Sequence, residues 1–168
     1  MSEFEGNIIN EEDTQNGKFL IFITDGEQYG IEIKHVIEII GISPISEIPE
    51  LPQYIMGVIN LRGKVIPVID IRLRFNKIFK EYNDRTCIVI IDVQDMLIGI
   101  IVDKVLEVLK ISENEIMDPP EISKDKNGYI KAIGKTHDGM NFILDCGKLI
   151  SSEEINKLGP KNKIREDK

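Results

Sequence analysis

The chain of 168 residues is long enough to bury a core without disulfides or metals, as one domain or a tight pair of subdomains. Its formal charge of −8 argues against a nucleic-acid binder, which draws most of its affinity from a basic face; here Lys and Arg are scattered among carboxylates, apart from Lys161, Lys163 and Arg165. No apolar run approaches the roughly 20 residues of a membrane span, and Met1–Gly17 is polar and acidic with no apolar signal core, so the expected location is cytoplasmic.

Residues 1–17 read as a disordered tail rich in Glu, Asn and Asp. Trp is absent and aromatics are few, so the core must be built from Ile, Val and Leu, a bias that favours strands. Lys18–Thr24 is apolar on both faces and predicts a strand covered on both sides. Asp25-Gly26 is a turn signal, and Gln28–Ile33 alternates as a second strand. Lys34–Ile40 fits either a short helix or a strand, and its seven residues leave both open. Gly41–Tyr54 carries three prolines and predicts a loop. Gly57–Asn60 and Lys64–Asp70 predict strands joined at Leu61-Arg62-Gly63. Pro67 cannot donate to a ladder, which places the second of these at an edge or a bulge.

Arg72–Asp84 predicts a loop with room for a helical turn. Strands follow at Arg85–Asp92, Met96–Val102, Val105–Leu109, Tyr129–Lys135 and Met140–Asp145, the last two joined by a hairpin at His137-Asp138-Gly139. Ile111–Gly128, with Pro119-Pro120, reads as a surface loop. Ser151 and Glu154 have the spacing of a capping box, and Gly159-Pro160 would end a short C-terminal helix before a tail, residues 159–168. About ten short strands predict an all-β fold, and in so short a span two small barrels are more natural than one large one. No repeat between the halves is evident.

A search for chemistry finds little. His35 and His137 are far apart in sequence and neither has ligands at metal spacing. There is no GxSxG and no phosphate-binding glycine loop. Asp92 with Asp95 flanks a turn, and Glu153 with Glu154 opens a helix, where the dipole favours negative charge. Cys87 and Cys146 lie in apolar runs and read as buried free thiols, with a disulfide as the alternative. The expectation is a protein that is not an enzyme and takes no cofactor or metal.

The run Gly57-Val58-Ile59-Asn60-Leu61-Arg62-Gly63, continuing Lys64-Val65-Ile66-Pro67-Val68-Ile69-Asp70-Ile71-Arg72, resembles the signature of the CheW family of chemotaxis coupling proteins. Phe19–Phe22, Tyr29-Gly30-Ile31 and Val36–Ile39 upstream, and Gly99–Asp103 and Val105–Leu109 downstream, match in order, so the resemblance covers about residues 18–155. It implies two five-stranded SH3-like β-barrel subdomains within residues 18–158, with a boundary near residues 75–85 and possible exchange of strands between them. It implies a non-catalytic adaptor that holds the regulatory domain of the histidine kinase CheA and the cytoplasmic tips of chemoreceptors, at the membrane-associated array through those partners. By the same resemblance Glu38, Ile39, Gly57 and Arg62 belong to the kinase contact, and Val36 lies near a receptor groove between the subdomains. Gly99 also matches, with a role that can be purely structural.

Two other functions compete. A small barrel can bind nucleic acid, but the charge and the lack of an aromatic stacking stripe oppose it. The chain could also be a detached regulatory domain of a histidine kinase, though it carries no nucleotide-binding or phosphotransfer segment.

Overall fold

A computed structural model describes residues 16–120 and 128–150. The predicted capping box, C-terminal helix and tail from Ser151 onward lie outside the described residues, as do residues 1–15 of the predicted N-terminal tail. The strands are β1 (Lys18–Thr24), β2 (Glu27–Glu32), β3 (Val36–Gly41), β4 (Ile55–Leu61), β5 (Lys64–Asp70), β6 (Cys87–Val93), β7 (Met96–Val102), β8 (Lys104–Lys110), β9 (Ile116–Met117), β10 (Ile130–Thr136) and β11 (Gly139–Leu144), with one short helix, α1 (Ile71–Arg74). They form two sheets. Sheet I runs β8-β1-β2-β11-β10-β9 and sheet II runs β3-β6-β7-β5-β4.

The ambiguous segment Lys34–Ile40 divides: Ile33–His35 makes a single 3-10 turn and Val36–Gly41 is strand. Pro67 does not lie on an edge strand, because β5 is flanked by β4 and β7. Its pairing with β7 begins only at Val68, so the missing N–H falls where β5 has a single neighbour, and the bulge lies on the partner strand, between Ile55 and Gly57. The predicted loop Arg72–Asp84 opens with α1, capped by the carboxylate of Asp70, which accepts from the backbone N–H groups of Arg72 and Leu73 and from Tyr82 Oη at 2.7 Å. The segment between α1 and β6 joins two strands of the same sheet; the chain changes sheet between β2 and β3 and again between β7 and β8.

Three cores account for strands that are apolar on both faces. Leu20 and Phe22 of β1 face a large central core with Val89 and Ile91 of β6 and Ile98 and Ile100 of β7. The alternate residues face inward within each sheet. Phe19 and Ile21 meet Ile111 and Ile143 in sheet I, while Ile88 and Ile90 meet Ile66 and Val68 in sheet II. Period-two alternation thus serves two interiors at once.

The two sheets repeat one plan. In sheet II an edge strand (β3) is followed by two hairpins, β4–β5 and β6–β7, with β5 and β7 parallel. In sheet I the edge strand is β8, the first hairpin β10–β11, and the second is the N-terminal β1–β2, with β11 and β2 parallel. The registers agree in detail. Val68 faces Gly99 across one parallel pair and Ile143 faces Gly30 across the other. Asp70 N–H donates to Tyr54 O and Asp145 N–H donates to Tyr129 O, both at 2.8 Å. Gly30-Ile31-Glu32-Ile33-Lys34-His35-Val36-Ile37-Glu38-Ile39-Ile40 then aligns with Gly99-Ile100-Ile101-Val102-Asp103-Lys104-Val105-Leu106-Glu107-Val108-Leu109. Permutation hides that repeat from a reading of consecutive halves, since the first hairpin of the chain completes the second unit.

Candidate functional site

Strand β3 is an edge of sheet II, and its outward residues are apolar. Ile37 is 51% exposed, Ile39 42% and the following Ile42 37%. Val36, at the start of the strand, is half-buried against the central core. Of the two apolar residues singled out from the sequence Ile39 is exposed and Val36 is not; the exposed apolar residues are Ile37 and Ile39 in the strand and Ile42 just beyond it. Adjacent apolar residues on an edge strand point to opposite faces, so only alternate ones can be free.

Arg62 stands in the two-residue turn of the β4–β5 hairpin with φ of 51°, followed by Gly63 at 86°. Both residues are left-handed, the geometry that matches strand twist, and Asn60 Oδ1 steadies the turn by accepting from Gly63 N–H at 3.0 Å. The guanidinium reaches across to β3 and bonds both carboxylate oxygens of Glu38. Since β3 and β4 are opposite edges of sheet II, this contact requires the sheet to curl until its edges approach. The arginine is 70% exposed and the glutamate half-buried, so the pair is a surface feature whose stabilising effect is small. Arg62 and Glu38, named separately from the sequence, are partners of each other.

Gly57 is buried within the fold. It sits in β4 with φ of 143°, and a Cβ there would lie 2.1 Å from Ser46 O. That closeness lets Ser46 and Val58 exchange two backbone hydrogen bonds of 2.9 Å, which fasten the loop leaving β3 to the outside of β4. Gly99 is likewise held by packing, with Ile88 and Val68 side chains at 2.7 Å from an added Cβ.

The seams between the sheets hold the remaining chemistry. On one side Arg72, only 13% exposed, bonds Asp103 through Nε at 3.0 Å and Nη2 at 2.6 Å, and meets Asp25 at 3.2 Å. Asp103 also accepts from Asp25 N–H at 2.9 Å, so one carboxylate ties α1 to the β1–β2 turn. Burial alone would raise the Asp103 carboxyl; the Arg72 guanidinium and the Asp25 N–H hold it below the ordinary aspartate range. Sequence reading assigned nothing to Arg72 or Asp103, because an arginine after a strand carries no local sign of burial.

On the other side the equivalents of Arg72, Asp103 and Asp25 are Gly147, Lys34 and Gln94, and there the seam is an open cleft of about 450 Å³. His35, Lys131, Asp92, Asp95, Asp145 and Cys146 share its lining. Glu32 bonds Lys131 and lies 3.6 Å from Lys34 and 3.9 Å from His35 Nε2. Cys146 and Cys87 are free thiols, and burial pushes the Cys146 thiol up to about 12, so it stays protonated and unreactive. Among the described residues no group of three or more His, Cys, Asp or Glu side chains could hold a metal ion, and no helix is long and apolar enough to cross a membrane.

A family model described as a CheW-like domain matches residues 18–154. The chain is 35% identical over 144 residues to a chemotaxis protein CheW of Klebsiella aerogenes, covering 85% of this chain and 87% of that one. It is also 35% identical over 144 residues to a chemotaxis protein CheW of Bacillus subtilis, covering 85% and 92%. The crystal structure of the scaffolding protein TtCheW from Thermoanaerobacter tengcongensis superposes with a TM-score of 0.77 at 37% identity, over 82% of this chain and 96% of that chain.

Proposed function

The chain belongs to the CheW-like domain family, and on that premise we propose that it is a non-catalytic coupling adaptor of bacterial chemotaxis that links chemoreceptors to a histidine kinase. The kinase CheA, through its regulatory domain, takes the β3 edge, and the cytoplasmic tips of the receptors take a separate surface. The protein thereby works in the cytoplasm at the receptor array, without entering the membrane or binding nucleic acid. The observation that carries this reading is the β3 edge itself. Ile37, Ile39 and Ile42 form an apolar stripe beside an exposed charged pair, Glu38 with Arg62, the composition of an interface centre with a polar rim. A nucleic-acid face would place cations there instead.

Titration of the kinase regulatory domain against wild type, Arg62→Glu and the charge swap Glu38→Arg/Arg62→Glu tests it. Arg62→Glu should weaken binding at least tenfold, about 1.4 kcal/mol, with the melting midpoint nearly unchanged because the pair is exposed. If Arg62 meets a carboxylate of the kinase, the swap stays weak. If its task is to hold Glu38, the swap recovers affinity. Equal affinity for wild type and Arg62→Glu would take Arg62 out of the interface.

A further inference from the structure

A second exposed apolar face lies on sheet I, away from β3. Met117 of β9 is 46% exposed and Met140 of β11 56%. The register places them on one face. Met117 stands opposite Ile133 and Met140 opposite Lys135, and Ile133 and Lys135 are alternate residues of β10. The two methionines thus flank β10, roughly 12 Å apart by strand spacing and rise. Phe142, alternate to Met140 in β11, packs on the central core, so this face continues the one that the central core covers.

The place where the chain enters the fold bears on what covers this face. Gly17 O accepts from Ile111 N–H at 2.9 Å, and Lys18 and Lys110 stand directly opposite each other on β1 and β8. Like charges so placed repel. Neither lysine has a carboxylate partner among the described residues, and nor does Lys135 beside the methionines. Upstream, Met1–Gln15 carries Glu3, Glu5, Glu11, Glu12 and Asp13, no Lys or Arg, and the apolar residues Phe4, Ile8 and Ile9. Its reach suffices: Ile111 to Met117 spans at most roughly 20 Å of chain, and Ile8 to Gly17 up to roughly 30 Å. The segment beyond Ile150 carries Lys157, Lys161, Lys163 and Arg165, a poorer match for a pair of lysines.

We propose that this acidic segment folds back on its own chain as a cover. Glu11, Glu12 and Asp13 run along Lys18 and Lys110, and Phe4 and Ile8 then lie over Met117 and Met140. In extended backbone Phe4 and Ile8 fall on one side, because side chains alternate with period two. Methionine side chains adapt to an irregular partner. Tethering gives the cover an effective concentration on the order of millimolar, so weak contacts suffice to hold it. The cover does not depend on the adaptor reading.

The test exposes the full chain, a chain lacking residues 2–13 and the double variant Phe4→Asp/Ile8→Asp to dilute hydrogen peroxide. Sulfoxide formation at each methionine is followed by peptide mass spectrometry at two protein concentrations, with a thermal melt of each protein. Truncation and the double variant should each speed oxidation of Met117 and Met140 roughly threefold or more. Met96, which packs on the central core, should oxidise at an unchanged rate. The full chain should be equally protected at both concentrations. Equal rates in the full and truncated chains overturn the inference, whether or not an added partner protein protects these residues. Protection that grows with concentration overturns it in favour of a second copy of the chain. Faster oxidation at Met96 as well, with a lowered midpoint, means general loosening and overturns it, as does a double variant that oxidises like the full chain.

Discussion

The two seams between the sheets are built on one backbone plan and end in opposite states. On one, Arg72 fills the gap and ties Asp103 to Asp25; on the other, Gly147 stands in the same place and leaves a cleft walled by Lys34, His35 and Asp145. A repeated fold supplies two equivalent positions, and one side chain decides whether each becomes a clamp or an opening. The Arg72 clamp is buried and multiply bonded, so its loss should register as stability. The Glu38–Arg62 pair is exposed and should register as binding. The same contrast runs through the β-bulges. Gly57 in β4 and Ala132 in β10 are equivalent, and each precedes a residue paired with an outer segment, Val58 with Ser46 and Ile133 with Met117, yet only Gly57 has a positive φ.

The largest expected effect is at that bulge. Gly57→Ala places a Cβ on Ser46 O in a backbone region that L residues avoid, and should cost about 3 kcal/mol, or roughly 6–12 °C in the midpoint for a chain this size. Ala132→Gly should cost under about 1 kcal/mol. Equal effects in thermal melts would break the comparison.

Next comes the clamp. Arg72→Ala leaves Asp103 half-buried without its cation and should cost about 2–3 kcal/mol in urea unfolding. The converse, Gly147→Arg, should change stability by less than about 1 kcal/mol. An added Cβ finds only Asp145 Oδ1, at 3.5 Å, and the residues facing it from Asp103 and Asp25 positions are Lys34 and Gln94. Strong stabilisation by Gly147→Arg would mean that the open seam is a clamp awaiting its cation.

The smallest effect concerns acid. Asp103 is held below its unfolded value, so its contribution is fully present above about pH 3.9 and is lost as pH falls through the lowered folded value. Glu32, which burial would raise but which Lys131 holds down, acts with the same sign on the cleft side. Asp103→Asn should therefore flatten the fall in stability below about pH 4 only in part, leaving a share to Glu32. An acid profile identical to wild type would remove Asp103 as a contributor.

The sequence by itself determined the strands, because period-two alternation and turn chemistry are local. Lys18–Thr24 and Met96–Val102 appear with the predicted bounds, and Asp25-Gly26, Leu61-Arg62-Gly63 and His137-Asp138-Gly139 are the hairpin turns. Family resemblance on top of that named Glu38, Ile39 and Arg62, and the fold brings the Arg62 guanidinium onto Glu38. Tertiary structure alone decided which strands share a sheet. The β1–β2 hairpin joins β8, β10 and β11 from the far end of the chain, and no residue in Lys18–Glu32 encodes that partner locally. It also decided that Pro67 sits inside a sheet, that Arg62 answers Glu38, and that Arg72 is largely buried while Arg74 rests on two tyrosines. A side chain's charge is written in the sequence; its desolvation and its partner depend on surfaces brought together from distant segments, and those exist only once the sheets have closed on one another.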